Sequence, residues 1–293
     1  SAILAEASGI VWVGTFGGGL NRLDTRTGRF ERFRHEPGTE TSISSDRVLA
    51  IHRDRQGALW IGTEDAGLNR LRSDGESFDR IRHIPGDGES LSHDSAWLLL
   101  EGSDGSLWIG TNGGGLNRWL PEDRRTGRVR FEKTRRSDGL PSDSIQGLVE
   151  DSDFRIWIST NRGLVQLNPM NGHMRYYNRS NGLCGNEFHY SATHRTRSSR
   201  LLFGGSSGLL AFYPNQITVN RHEPDIALTA FDRNGPLTTR YSTETGGEEL
   251  QLDYRTDLVT FSFSGLDYSA PERNLYRYML EGFDSDWSAP VEY

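Results

Sequence analysis

The sequence predicts an all-β chain, and three observations carry that prediction. First, the stretch WVGTFGGGLNR, from Trp12 to Arg22, returns as WIGTEDAGLNR from Trp60 and WIGTNGGGLNR from Trp108. It returns again, with a shorter turn, as WISTNRGLVQL from Trp157. A fainter copy, FGGSSGLLAF, starts at Phe203, so successive anchors are 48, 48, 49 and 46 residues apart. Self-similarity at a fixed period of this size marks a repeat architecture. Second, apolar and polar residues alternate after each glycine cluster, which is the period of a strand, and no long segment keeps the period of a helix. Third, hydrophobic residues make up 34% of the 293-residue chain while glycine occurs 34 times, a balance that suits short strands joined by many turns.

The units can be read element by element. In the second, strand-like runs cover Val48 to Arg53, Leu59 to Thr63, Gly67 to Arg72 and Ser77 to His83. Turn-forming residues separate them: Asp54-Arg55-Gln56-Gly57, Glu64-Asp65-Ala66 and Ser73-Asp74-Gly75-Glu76. Four antiparallel strands in about 48 residues make one β-propeller blade. Tryptophan recurs at one place because its large flat side chain can wedge between neighbouring blades. Gly17 to Gly19 could suggest a phosphate-cradling loop. That chemistry needs a helix after the glycines and a lysine at the right offset, and here alternating Leu20-Asn21-Arg22-Leu23 follows. The glycines are hairpin punctuation. Five blades are visible, the first lacking the start of its inner strand. After Pro214 the pattern stops. FYPNQITVNRHEPDIALTAF reads as a final propeller strand and the exit into a second domain. Further strand-like runs follow at Ile226 to Phe231, Glu249 to Leu252, Leu258 to Ser264 and Tyr276 to Glu281, with a turn signal at Asn234-Gly235.

The W-[IV]-G-T-x-x-x-G-L-N-R core resembles the two-component-regulator propeller repeat. The spacers SISSDRVLAIHRDRQGALW, SLSHDSAWLLLEGSDGSLW and GLPSDSIQGLVEDSDFRIW fit it too. The run LVTFSFSGLDYSAPERNLYRYMLEGFDSDWS resembles the triple-tyrosine immunoglobulin-like module that follows such propellers. Tyr268, Pro271, Tyr276, Tyr278, Gly282, Phe283 and Trp287 carry that likeness. The resemblance implies a propeller over 1–219 and an immunoglobulin-like β-sandwich over 224–293, cut before its last strands. It also implies a seven-bladed ring with further blades upstream of Ser1, a closed five-bladed ring being the alternative. In function it implies the periplasmic sensor region of an inner-membrane receptor whose output is a histidine kinase or a diguanylate cyclase. The receptor would be a homodimer through the immunoglobulin-like region, anchored by a helix outside this chain.

Composition excludes several classes. The formal net charge is −7, which argues against a broad nucleic-acid surface. The basic pairs Arg124-Arg125 and Arg135-Arg136 sit beside acids and read as solvated loop charge. Lys133 is the only lysine and Cys184 the only cysteine, so neither an internal disulfide nor a cysteine metal site is expected. No stretch approaches the ~20 apolar residues of a membrane helix. No cofactor is expected.

Repeats separate scaffold from site without an alignment. Residues that recur in every unit hold the blade together, and those that differ at equivalent positions are free to serve a ligand. Asp46, Asp94 and Asp143 each stand 14 residues before their tryptophan, so they read as loop caps rather than a catalytic set. The next residue varies: Arg47, Ser95 and Ser144, with Glu187 after Asn186 in the fifth unit. Two further on come Leu49, Trp97, Gln146 and His189; the middle turns offer Phe16, Glu64, Asp65, Asn112, Asn161 and Arg162. Arg47, Glu64, Asp65, Trp97, Asn112, Gln146, Arg162, Asn186, Glu187 and His189 are therefore the candidate ligand residues at the channel mouth. Aromatic, amide and charged groups of this kind suit a sugar or another polar solute. Trp97 and His189 read equally well as core residues. Gly185 to Tyr190 departs most from the repeat and is the leading site segment. GGSSG at Gly204 to Gly208 falls inside a repeat turn and opens no helix, so it is no nucleophile elbow. Three functions stand open: a ligand sensor, a protein-interaction platform, and a glycosidase or lyase using Glu64, Asp65 and Glu187.

Overall fold

The computed structural model describes residues 2–217, 225–233, 258–266, 275–288 and 291–292. The chain divides into two compact units, Ser1–Ile217 and Thr218–Tyr293. The first is built from successive antiparallel sheets. The first sheet holds β1 (Ala2–Ala5), β2 (Ile10–Thr15), β3 (Gly19–Asp24) and β4 (Arg29–Phe33). The second holds β5 (Val48–Arg53), β6 (Leu59–Thr63), β7 (Leu68–Leu71) and β8 (Phe78–Ile81). The third holds β9 (Ala96–Glu101), β10 (Leu107–Thr111), β11 (Leu116–Trp119) and β12 (Phe131–Thr134), with a short helix α1 (Pro121–Thr126) between its last two strands. The fourth holds β13 (Ile145–Glu150), β14 (Ile156–Thr160), β15 (Gly163–Leu167) and β16 (Met174–Tyr177). The fifth shows three strands among the described residues: β17 (Phe188–Arg195), β18 (Leu201–Gly205) and β19 (Gly208–Phe212). The predicted final strand after Pro214 falls largely outside the described residues.

These sheets are propeller blades, because their cores lie between sheets. Trp12, Leu20, Val48, Leu59, Ile61 and Phe78 fill the space between the first two. Trp60 and Leu68 meet Ala96, Leu107, Ile109 and Trp119 between the second and third. Trp108 joins Ile145, Ile156 and Ile158 at the next junction, and Trp157 joins Phe188, Leu201 and Phe203 at the last. Each anchor tryptophan is the wedge its recurrence predicts. Its indole N–H also needs an acceptor once buried. Glu6 accepts from Trp12 at 2.7 Å, Asp54 from Trp60 at 2.8 Å and Asp151 from Trp157 at 2.7 Å. Burial works against the Glu6 carboxylate, but the Arg53 and Trp12 hydrogen bonds outweigh it and hold its pKa below the ordinary value.

The glycine question resolves as a turn. Gly19, Gly67 and Gly115 have φ of 75°, 77° and 79°. A Cβ there would collide with the carbonyl oxygens of Phe33, Ile81 and Thr134 respectively. Only glycine meets both demands.

The reading of Arg124 as solvated loop charge is corrected. Arg124 rides on α1 and is buried, its side chain only 3% exposed, 2.7 Å from Asp54 and 3.5 Å from Glu101. The helix is an insertion that carries this guanidinium to the junction with the second blade. Arg125 beside it is exposed, as expected.

In the second unit, β20 (Ile226–Arg233) pairs with β21 (Val259–Gly265), and β22 (Leu275–Tyr276) with β23 (Val291–Glu292). The run expected as a strand from Tyr276 to Glu281 ends at Tyr276. Gly282, at φ 84°, and the Asp284 carboxylate, which accepts from Leu280 N at 2.7 Å, close a turn instead. Tyr276 is buried, and its hydroxyl accepts from Gly265 N at 2.9 Å. Tyr278, Phe283 and Trp287 are exposed. Tyr268, Pro271, Asn234-Gly235 and the run Glu249 to Leu252 lie outside the described residues. Among the described residues no helix is long and apolar enough to cross a membrane.

Candidate functional site

The innermost strands of successive blades, β1, β5, β9, β13 and β17, lie side by side. Backbone bonds tie their leading ends to the middle turns. Gly17 N and Gly19 N donate to Asp46 O, Gly67 N to Asp94 O, and Gly113 N and Gly115 N to Asp143 O. These carbonyls lace each blade to the turn of the one before. The carboxylates are occupied as well. Asp46 accepts from His35 N at 2.8 Å, Asp94 from His83 N at 2.7 Å and Asp143 from Arg136 N at 2.7 Å. Asn186 does the same for Arg179 N at 2.9 Å, so its side-chain oxygen is committed to its own loop.

Several candidates at this mouth converge. Arg47 pairs with Glu64 at 3.1 Å and Asp65 at 3.6 Å, and its guanidinium lies 5.4 Å from the centre of the Phe16 ring. Asn112 forms a bridge with Ser144, whose hydroxyl donates to the Asn112 oxygen at 2.8 Å. Glu187 accepts from Ser206 at 3.2 Å. Arg162 and His189 are exposed. Of the leading segment, Gly185, Glu187 and Phe188 line a cleft of about 10 Å³ with Leu183, Cys184 and Ser207, room for about one water.

The innermost strands are interrupted by β-bulges. Ladder registers shift between Val48 and Ala50, Ala96 and Leu98, and Ile145 and Gly147. The unpaired residues are Leu49, Trp97 and Gln146, so bulging is what re-aims these three positions. In the fifth blade the irregularity is wider, spanning Phe188 to Thr193, with Ser191 at φ 55°. His189 is exposed on this strand, while the next residue, Tyr190, turns toward the other inner strands. Its hydroxyl reaches Leu49 O at 2.8 Å and Trp97 O at 3.1 Å, on the inner strands of two other blades. Its ring meets Trp97 edge-on at 5.1 Å. Burial pushes the phenol pKa up to about 12, so it stays a neutral donor. The Trp97 indole nitrogen is buried without an acceptor. The sequence carries a trace of the fifth blade's irregularity: Asn186 precedes Phe203 by 17 residues, where each recurrent Asp precedes its tryptophan by 14.

Among the described residues no cluster of His, Cys, Asp and Glu could hold a metal ion. Glu64 and Asp65 both face one arginine, Arg47.

The two-component regulator propeller model matches residues 42–65 and 90–113, the spacer and tryptophan core of the second and third units. Histidine kinase P4 of Formosa agariphila is 26% identical over 139 residues, covering 43% of this chain and 10% of that protein. Two extracellular domains attributed to hybrid two-component systems of B. thetaiotaomicron superpose on 99% of this chain. One has a TM-score of 0.61 at 18% identity over 50% of its length, the other 0.51 at 21% over 44%. The chain therefore spans half or less of the length of these relatives. It carries two-component regulator propeller repeats on an all-β fold of four-stranded propeller blades.

Proposed function

We propose that this chain is the extracytoplasmic sensor region of a bacterial two-component receptor and takes a polar ligand, a carbohydrate by its chemistry, at the propeller mouth. One observation carries the ligand reading. Recurrent residues are consumed by blade-to-blade bonds, whereas Arg47, Trp97, Gln146 and Tyr190, which vary between blades, stand on or just before the innermost strands, with Trp97 and Tyr190 in contact. The match to two-component regulator repeats supports the receptor setting. In that setting the second unit is the immunoglobulin-like module, the receptor is a homodimer through it, and a kinase or cyclase lies elsewhere in the full protein. Ligand acts by binding one arrangement of the dimer better than the other, since equal affinity would shift nothing.

Calorimetric titration with a panel of neutral oligosaccharides tests this. Binding by the chain, weakened by about tenfold or more in Trp97→Ala and Arg47→Ala, is the expected result. Turnover of any panel member that disappears in Glu187→Gln would replace the sensor with a glycosidase or lyase.

A further inference from the structure

One cross-strand pair changes sign in the fourth blade. In the first three blades an arginine on the third strand stands opposite an acid on the fourth: Arg22 and Glu31, Arg70 and Asp79, Arg118 and Glu132. Each arginine also lies over its own blade's tryptophan, at 5.8, 5.6 and 5.1 Å from the ring centre. The acids neutralise this face; Arg22 and Glu31, for example, are 3.1 Å apart. In the fourth blade the corresponding residues are Gln166, opposite Trp157, and Arg175, opposite Gln166. A guanidinium thus stands where the other blades hold a carboxylate, and it has no acidic partner among the described residues.

A second cation reinforces the change. Arg155 stands two residues before Trp157, where the earlier blades have Ile10, Ala58 and Ser106. Its nearest acid is the exposed Asp153, 3.9 Å away. Strand alternation puts Arg155 on the face of Trp157, Asn168 on that of Gln166 and His173 on that of Arg175. These residues and Asn171 line one groove of about 230 Å³. Its wall holds two guanidinium groups, three amides and a histidine, and no acid. Gln166 is only 5% exposed, so its amide is fixed by burial rather than splayed into solvent. The groove opens at the end of the blade away from the middle turns, and so is separate from the mouth.

We infer that this groove binds an anionic sugar. Its carboxylate or sulfate supplies the negative charge that the fourth blade lacks, pairing with Arg175 and drawing on Arg155 as a second cation. The amides of Gln166, Asn168 and Asn171 take the neighbouring hydroxyls. Nothing in this depends on the mouth being a sensor site.

The test is calorimetric titration of the chain with D-galacturonate, D-galactose 6-sulfate, D-galactose and inorganic sulfate. At least one of the two charged sugars is expected to bind about tenfold or more tightly than both galactose and sulfate. The stronger of the two identifies the anion as carboxylate or sulfate. Gln166→Arg combined with Arg175→Glu rebuilds the pair of the first three blades. It is expected to keep the melting temperature and lose binding about tenfold or more. Arg175→Gln, which removes the charge alone, is expected to lose it likewise. Equal binding of sulfate and the charged sugars, no binding of any probe at roughly 10 mM, or binding unchanged in both variants overturns the inference.

Discussion

The anchor tryptophans of the second and fourth blades sit in the same place as that of the third and are served differently. Asp54 and Asp151 each use one oxygen for the indole N–H and the other for two backbone N–H groups of the following turn. The third blade has Gly102 at that position, and the Trp108 indole nitrogen is buried without an acceptor. Its turn is closed from Asp104, two residues later, which accepts from Ser106 N at 2.9 Å and pairs with Arg118 at 2.7 Å. Arg118 in turn lies over the Trp108 ring. The third blade has therefore moved its turn acid along the chain, at the cost of one satisfied donor. It also lends a residue outward, since α1 places Arg124 against Asp54 of the second blade.

The largest expected effect attacks that loan. Arg124→Met leaves Asp54 buried without its cation, and Glu101 with only Arg55 at 3.9 Å, and should lower stability by about 3–5 kcal/mol in urea unfolding. Next comes the fourth blade's own device: Asp151→Ala orphans the Trp157 N–H and should cost about 2–3 kcal/mol. The third blade gives the sharper contrast. Gly102→Asp alone should be destabilising by about 1 kcal/mol, because a Cβ there lies 2.8 Å from an Asp104 oxygen already fixed by its partners. Gly102→Asp with Asp104→Gln, the second blade's arrangement, should be more stable than Gly102→Asp by about 1 kcal/mol or more.

The smallest effect is a pH dependence. Burial lowers the pKa of His52 below its ordinary 6.5; Arg124 and Arg55 reinforce this, while Glu101 and Asp54 oppose it. Below 6.5 the unfolded chain binds more protons than the folded one, down to the folded value. The contribution is therefore complete above about pH 6.5 and falls as pH drops through that window. His52→Gln should flatten this limb of the stability profile measured between pH 7.5 and 5.5.

Much of the blade architecture was legible because its rules are local. The four runs read in the second unit fall on β5 to β8, and the recurrent aspartates cap loops as their spacing implied. The misreadings share a cause. Arg124 reads as solvated because its nearest partner, Asp54, lies in another blade and the inserted helix leaves no periodic trace. Tyr190 is not marked by the repeat, because the irregular stretch between Phe188 and Thr193 breaks the count, which lands on His189 from Asn186 and on Ala192 from Phe203. In the second unit, Tyr276 was read as opening a long strand, whereas the glycine and aspartate that follow it form a turn.

A stack of repeats in contact only with neighbours opens from its ends, one unit at a time. The Tyr190 hydroxyl gives this array a tie of a different rank, joining residues 141 and 93 positions apart in the chain. Loss of the fifth blade should therefore loosen the second and third along with it. Unfolding of the array becomes more cooperative than the repeat pattern alone would make it. Hydrogen exchange would show this as matched opening rates in β5, β9 and β17, uncoupled from one another in Tyr190→Phe.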